Sequence, residues 1–312
     1  MAALARAVVL KVFQRPGVRR WMERHGMALG AGRFVAGETA GDALRVAAGL
    51  LAAGRRVSLT HLGEYTSDAA AARAAADTYV DLLAAARSRA LEVGLSIKLT
   101  QLGLDLDLDV CLENTRRVLD AAAGAGALVE IDMEDSARVD ATLAVFQRLA
   151  PEYPFLGVCL QAYLHRTPDD IQRLAPLRPR IRLVKGAYAE PPSVALQDRA
   201  AVTRRYLELA RRLMDAGCFL AAASHDGALL REVLGEARRR GLGPDRYEVQ
   251  MLRGINPSLQ EGLVAAGEPV RVLVVYGREW YPWFVRRLAE RPANVGMLLR
   301  NLVSPAARRR GP

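Results

Sequence analysis

The feature that most constrains this chain is an alternation. Short apolar, β-prone runs and helical stretches follow one another eight times between residues 56 and 291. Strands are expected over 56–62, 95–99, 128–132, 155–161, 181–185, 219–224, 247–252 and 270–275. Helical patterns follow over 69–90, 109–123, 139–149, 169–175, 200–215, 228–239, 258–265 and 280–291. A strand followed by a crossover helix returns to a parallel neighbour, so the chain is expected to be an α/β protein. Eight units in about 250 residues is the size of a (β/α)8, TIM-type barrel. The rival, an open doubly wound sheet, announces itself by a glycine-rich turn after its first strand. Here Gly63 is followed by Glu64 and Tyr65, and Gly124-Ala125-Gly126 precedes a strand instead of following one. The expected organisation is a helical lead-in over 1–54, a barrel over 55–303 and a disordered basic tail over 304–312.

In a barrel the active site lies at the C-terminal ends of the strands. The run from Ile181 to Tyr188 places Arg182, Lys185 and Gly186 there, closed by Pro191 and Pro192. Alternation puts Arg182 on one face of the strand and Lys185 on the other. A buried charge is costly unless paired. One cation alone reads as a strand-end salt bridge. Two beside a glycine, which lets a ligand approach the backbone, point to an anion or cofactor site. Of 44 Lys plus Arg residues only Lys11, Lys98 and Lys185 are lysines. In a chain this rich in arginine, Lys98 and Lys185 look chosen for a compact ammonium.

Other strand ends are polar as well. Lys98 follows the second strand, Asp132 the third and Gln161 the fourth, while Ser224 and His225 end the sixth and Gln250 belongs to the seventh. Parity lets Lys98, Asp132, Gln161, Arg182 and Ser224 point inward, and Lys98 and Asp132, from adjacent strands, can pair. The last helix carries Arg286, Arg287 and Glu290, with Arg286 and Glu290 on one face. An ordinary solvated ion pair is one reading of them. The other joins both arginines to Lys98 around a small carboxylate, which the guanidinium fork suits.

Composition excludes several classes. The net charge is +10, but the basic residues are spread along the chain and only 6% of residues are aromatic. No stacking platform or DNA-binding module emerges, so nucleic acid is not an expected partner. Cys111, Cys159 and Cys218 are far apart and odd in number, which fits a reducing, cytoplasmic setting better than a disulfide framework. The four histidines show no metal-ligand spacing, and no metal is expected. No apolar run reaches the roughly 18 residues of a membrane span. The Arg-rich N-terminal segment, with Leu4, Val8 and Val12 at helical spacing, lacks the apolar core of a secretory signal. A docked surface helix is the first expectation for it, a membrane-touching helix the second. A cationic pocket with one aspartate and no nucleophile–histidine pair suits redox chemistry in which a cofactor does the hard step, without saying which cofactor.

At these residues the chain resembles the proline dehydrogenase family of flavoenzymes. The matching stretches are 95–103 around Lys98, Ile131-Asp132-Met133-Glu134-Asp135-Ser136, Leu160-Gln161-Ala162-Tyr163, Arg182-Leu183-Val184-Lys185-Gly186-Ala187-Tyr188, Ser224-His225-Asp226 and 281–294. They follow the family's order, cover roughly residues 30–303, and look like its short, single-function bacterial form. The resemblance implies a distorted barrel that binds FAD non-covalently and oxidises L-proline to Δ1-pyrroline-5-carboxylate. It implies transfer of electrons to a membrane quinone, with peripheral contact at the inner face of the plasma membrane. A separate pyrroline-5-carboxylate dehydrogenase would act next.

Residue by residue, the resemblance gives Lys98, Arg286 and Arg287 to the substrate carboxylate, with Asp132 orienting Lys98 and Glu290 fixing the arginine pair. Arg182 falls near the flavin N5, and Tyr188 falls on the substrate side. Met133, Gln161, Lys185, Gly186, Ala187, Ser224 and His225 line the flavin. The family usually carries tyrosine where this chain has Leu273 and Trp283. Leu273, inward by parity with Arg271, removes part of the wall against the substrate ring, and Trp283 refills some of it. A hydroxyproline-preferring dehydrogenase of the same fold is therefore one alternative. A non-enzymatic anion- or membrane-surface-binding protein is another, and a phosphate-binding barrel lyase or isomerase a third.

Overall fold

The computed structural model describes residues 13, 15–63 and 65–290, without the side chains of residues 28, 29, 286 and 288–290. Eight strands run β1 (Arg56–His61), β2 (Val93–Ile97), β3 (Val129–Ile131), β4 (Leu156–Gln161), β5 (Arg180–Val184), β6 (Phe219–Ala223), β7 (Tyr247–Leu252) and β8 (Val270–Tyr276). Each pairs in parallel with the next, and β8 returns to β1, so the sheet is a closed barrel. Among the described residues two α-helices precede it, α1 (Pro16–Leu29) and α2 (Ala40–Ala52). Seven cross between strands: α3 (Ala69–Arg87), α4 (Leu108–Ala125), α5 (Val139–Leu149), α6 (Thr167–Leu174), α7 (Arg199–Asp215), α8 (Gly227–Arg239) and α9 (Pro257–Ala265). A last one, α10 (Trp280–Glu290), follows β8.

Local chemistry starts these helices where they start. Thr39 and Asp42 form a reciprocal capping box at α2. Asp68, Asp107, Asp198 and Asp226 each accept backbone N–H groups that would otherwise lack partners at the first turns of α3, α4, α7 and α8. Outward-facing strand residues such as Leu59, Ile97, Ile131, Leu160 and Leu183 pack on helix residues such as Leu82, Leu119, Phe146 and Leu209 to make the main core. Burying each leucine or isoleucine contributes about 1.5–3 kcal/mol.

The lead-in is less regular than the sequence expectation, and the closing helix, found where expected, packs away from the β8–β1 seam. The lead-in is not continuously helical: between α1 and α2, Val35 makes a parallel bridge to Val275, and Ala36 N–H bonds Val275 C=O at 2.9 Å. The end of β8 supplies backbone partners there that a helix would leave unused. Nor does α10 cover the β8–β1 seam. Ala43, Leu44 and Ala47 of α2 fill that position against Val57, Leu59, Val272 and Val274. With the seam taken, α10 packs on α1 and the strand ends, through Trp280, Tyr281, Phe284, Met22, Phe34, Leu62 and Val275. The barrel is distorted there, and the displaced helix is brought to the C-terminal mouth. Lys98 and Lys185 each fall one residue past their strands. The helix expected around Leu4, Val8 and Val12 and the tail over 304–312 lie outside the described residues. Among the described residues no helix is long and apolar enough to cross a membrane.

Candidate active site

A TIM barrel is usually filled by layers of bulky branched side chains. This one is filled by charge. The fully buried Glu130 on β3 accepts from Arg180 Nε at 3.1 Å, Arg182 Nη2 at 2.5 Å and Gln250 Nε2 at 2.8 Å. Glu248 on β7, equally buried, accepts from Arg271 Nε and Gln250 Nε2 at 2.8 Å, from Arg56 at 3.1 Å, and from Arg180. Burial pushes the Glu248 carboxyl up, but Arg271 and Arg180 outweigh it and hold the group well below the usual carboxylate range. Gly157 makes room: a Cβ there would sit 3.2 Å from Glu130 Cγ and 3.1 Å from the Arg180 carbonyl oxygen.

One layer higher, towards the C-terminal mouth, Asp132 accepts from Ser96 Oγ at 2.6 Å, Lys98 Nζ at 3.2 Å and Arg182 Nη1 at 2.5 Å. Burial raises its carboxyl, yet Lys98 and Arg182 together pull it below the ordinary value. Burial also works against the Arg182 cation, and Glu130 and Asp132 more than offset it, so the guanidinium stays charged. Lys98, Asp132 and Arg182 form one connected, mostly buried cluster facing a cavity of about 840 Å³ at the strand ends.

The cavity wall carries Lys98, Asp132, Met133, Gln161, Arg182, Lys185, Gly186, Ala187, Tyr188, Ser224, His225, Leu273 and Arg287. Trp283 packs beside the α1–α10 cluster, and the Arg287 guanidinium lies 5.7 Å over its ring. Arg286 and Glu290 lie on α10, but their side chains are outside the described ones. Lys185 does not share Arg182's network. It pairs with Asp226 at 3.0 Å and Thr203 Oγ1 at 3.2 Å, at the N-terminal ends of α8 and α7.

The cavity suits a large, partly anionic group. Gln161 donates Nε2 to the Glu134 carbonyl at 3.1 Å, while its buried Oε1 has no partner among the described residues and is left for a donor from a ligand. Gly186 holds φ +112°, and a Cβ there would lie 2.2 Å from the Tyr163 ring, so only glycine lets the 185–187 backbone pass over Tyr163 at the rim. Lys185 and Arg199 are the cations of that rim, the Lys185 ammonium being paired with Asp226.

The sequence points to the upper layer of this site and to an inward Arg271, but Glu130, Glu248 and Arg180 beneath it went unread. The available signal was parity: Glu130 is two residues before Asp132, Glu248 two before Gln250, and Arg180 two before Arg182. In a strand that spacing keeps them on the same face.

Fold and site define a (β/α)8 barrel enzyme whose interior is a buried cation–carboxylate cluster opening on a cofactor-sized cavity. The family model for proline dehydrogenase matches residues 43–300. The proline dehydrogenase of Deinococcus radiodurans is 38% identical over 305 residues, covering 96% of this chain and 98% of that one. Proline dehydrogenase 1 of Bacillus subtilis subsp. natto is 34% identical over 300 residues, covering 96% and 99%. Among solved structures, proline utilization A from Bdellovibrio bacteriovorus, inactivated by N-propargylglycine, aligns with a TM-score of 0.77 at 24% identity. The chain covers only 32% of that larger protein, and the likeness establishes the fold. The chain belongs to the proline dehydrogenase family, flavin-dependent oxidoreductases of proline catabolism, and aligns with these bacterial relatives over nearly their whole length. Membership sets aside the non-catalytic binding protein and the phosphate-binding lyase or isomerase.

Proposed function

We propose that this chain binds FAD and oxidises L-proline to Δ1-pyrroline-5-carboxylate, handing the electrons to a quinone. The observation that carries the reading is the Lys98–Asp132–Arg182 cluster on the wall of the cavity. FAD supplies the acceptor for the hydride that leaves the carbon beside the ring nitrogen. The cavity volume favours a dinucleotide over a mononucleotide, and Arg199 adds a cation at its rim. Met133, Gln161, Gly186, Ala187, Ser224 and His225 would hold it together with Lys185.

Lys98 and Arg287 would bind the proline carboxylate, with Arg286 and Glu290 completing that end of the pocket. Asp132, held ionised by its two cations, keeps the Lys98 ammonium directed by a hydrogen bond. A small anion thereby replaces water at a site already positive. Arg182 offers a fixed positive charge that favours an electron-rich flavin. Leu273 and Tyr188 would border the proline ring. The chain's charge of +10 suits brief contact with an anionic membrane surface, where a quinone is reached. A separate pyrroline-5-carboxylate dehydrogenase would consume the product.

The test is the absorbance spectrum of the purified protein before and after anaerobic addition of proline, with the released cofactor identified by chromatography. A flavin band bleached by proline, with FAD released on denaturation, supports the reading; FMN, or a band indifferent to proline, refutes it.

A further inference from the structure

Gln250 touches both the cavity and the two buried acids beneath it. Glu130 and Glu248 are each paired with arginines, so both side chains act as hydrogen-bond acceptors. Each receives Gln250 Nε2 at 2.8 Å. That forces Oε1 the other way, onto Arg182 Nε at 2.6 Å. The reverse amide would set an oxygen against two carboxylates and an NH2 against a guanidinium N–H. Charge on both sides therefore fixes an orientation that is ordinarily ambiguous.

The consequence falls on Arg182. A guanidinium has five N–H groups. Among the described residues, Nε is committed to Gln250, Nη1 to Ser96 and Asp132, and Nη2 to Glu130. One Nη2 N–H is left. We infer that Gln250 is the positioning residue for Arg182. It locks the plane of the guanidinium so that Arg182 presents the pocket with a fixed charge and keeps only one uncommitted N–H. Arg182 is thereby excluded as a two-pronged anchor for the substrate carboxylate. This rests on the proposed placement of Arg182 beside the flavin.

Gln250→Glu keeps the shape and replaces the NH2 with an oxygen facing two acids. In the folded enzyme the new carboxyl has its pKa raised by burial and like charge. Its cost is absent at low pH and grows as pH rises through the folded value, so the melting temperature should fall with rising pH more steeply than in wild type. In the flavin-loaded enzyme, proline should reduce the flavin slower by on the order of tenfold to a hundredfold, from misplacement of Arg182. KM for proline should change much less than kcat.

Absence of the new pH dependence, or a defect confined to KM, overturns the inference. A pH-dependent melt with wild-type reduction rate also overturns it. In that case Arg182→Met decides where the fault lies: slowed reduction there leaves the flavin placement standing and removes only Gln250's role, whereas normal reduction removes both. Should Gln250→Glu fail to fold, Glu130→Gln serves instead. It removes one of the two acids that orient the Gln250 amide, Glu248 remaining, and leaves Arg182 less compensated, so the flavin's midpoint potential rises while the loosened guanidinium slows reduction. A potential and rate equal to wild type would count against the inference.

Discussion

Residues 129, 131, 158, 160, 181 and 183 point outward from β3, β4 and β5, and all are aliphatic. Between them, Glu130, Asp132, Cys159, Gln161, Arg180 and Arg182 point inward, and four of these are charged. The same strands thus present two surfaces held by different physics. The outer one is held by burial of apolar area, which has no direction and tolerates exchange at constant volume. The inner one is held by mutual neutralisation, in which each charge is tolerable only with its partners in place. The outer face secures the fold, and the inner face holds the chemistry. Mutations on the two sides should therefore fail in different ways.

The largest effect is expected from Arg182→Met. It leaves Glu130 and Asp132 without their shared cation, which costs about 3–5 kcal/mol of stability for a broken buried pair. It should also slow flavin reduction by proline by on the order of a hundredfold or more, as loss of a preorganised charge does. Denaturant unfolding and rapid-mixing reduction read the two. A stable variant reduced at the wild-type rate would break the contrast between the faces.

Leu160→Ala, one residue before Gln161 but on the outer face, should cost about 2–5 kcal/mol by opening a cavity among the helices. Its folded fraction should keep the wild-type reduction rate. Lost chemistry at intact stability would mean that the outer face also takes part in the site.

Acid sharpens the contrast. Asp132 titrates lower in the folded chain than in the unfolded one. Its stabilisation is therefore present above the unfolded carboxylate range, near pH 4, and is lost as pH falls through the lower folded value. Asp132→Asn should flatten the acid limb of the melting-temperature profile. Leu160→Ala should lower the whole profile without changing its shape. An unchanged acid limb in Asp132→Asn would show that Lys98 and Arg182 do not hold the carboxylate.

How much of this was legible in the sequence follows the same division. Outward alternation and helix periodicity were read directly, because both depend on local spacing. Lys98, Asp132 and Arg182 were legible because polar residues ended successive strands. Glu130, Glu248 and Arg180 were not, because a charge inside a strand looks like an error until its partners, tens of residues away, are known. The displacement of α10 was equally hidden. It results from α2 occupying the β8–β1 seam, a choice between two amphipathic helices that neither helix's own pattern reveals.

The smallest effect concerns Leu273, an inward residue that is apolar. We expect proline to remain the best substrate, with 4-hydroxyproline tolerated, since an apolar wall separates such analogues only weakly, by roughly 10–100-fold. Leu273→Tyr should shift the kcat/KM ratio towards proline. A ratio that does not move would take Leu273 off the ring-facing wall.

The inner-face cluster is proposed to bind a carboxylate substrate next to a flavin, and Lys98→Met probes that role without touching the flavin's own neighbours. Removing the ammonium leaves Asp132 short of a partner and the substrate with one cation fewer, while the residues assigned to the flavin stay in place. The measurement is the proline-concentration dependence of anaerobic flavin reduction in Lys98→Met and wild type. The variant should keep its flavin and need much more proline, by on the order of a hundredfold for a lost charged hydrogen bond. Wild-type concentration dependence in Lys98→Met would contradict it.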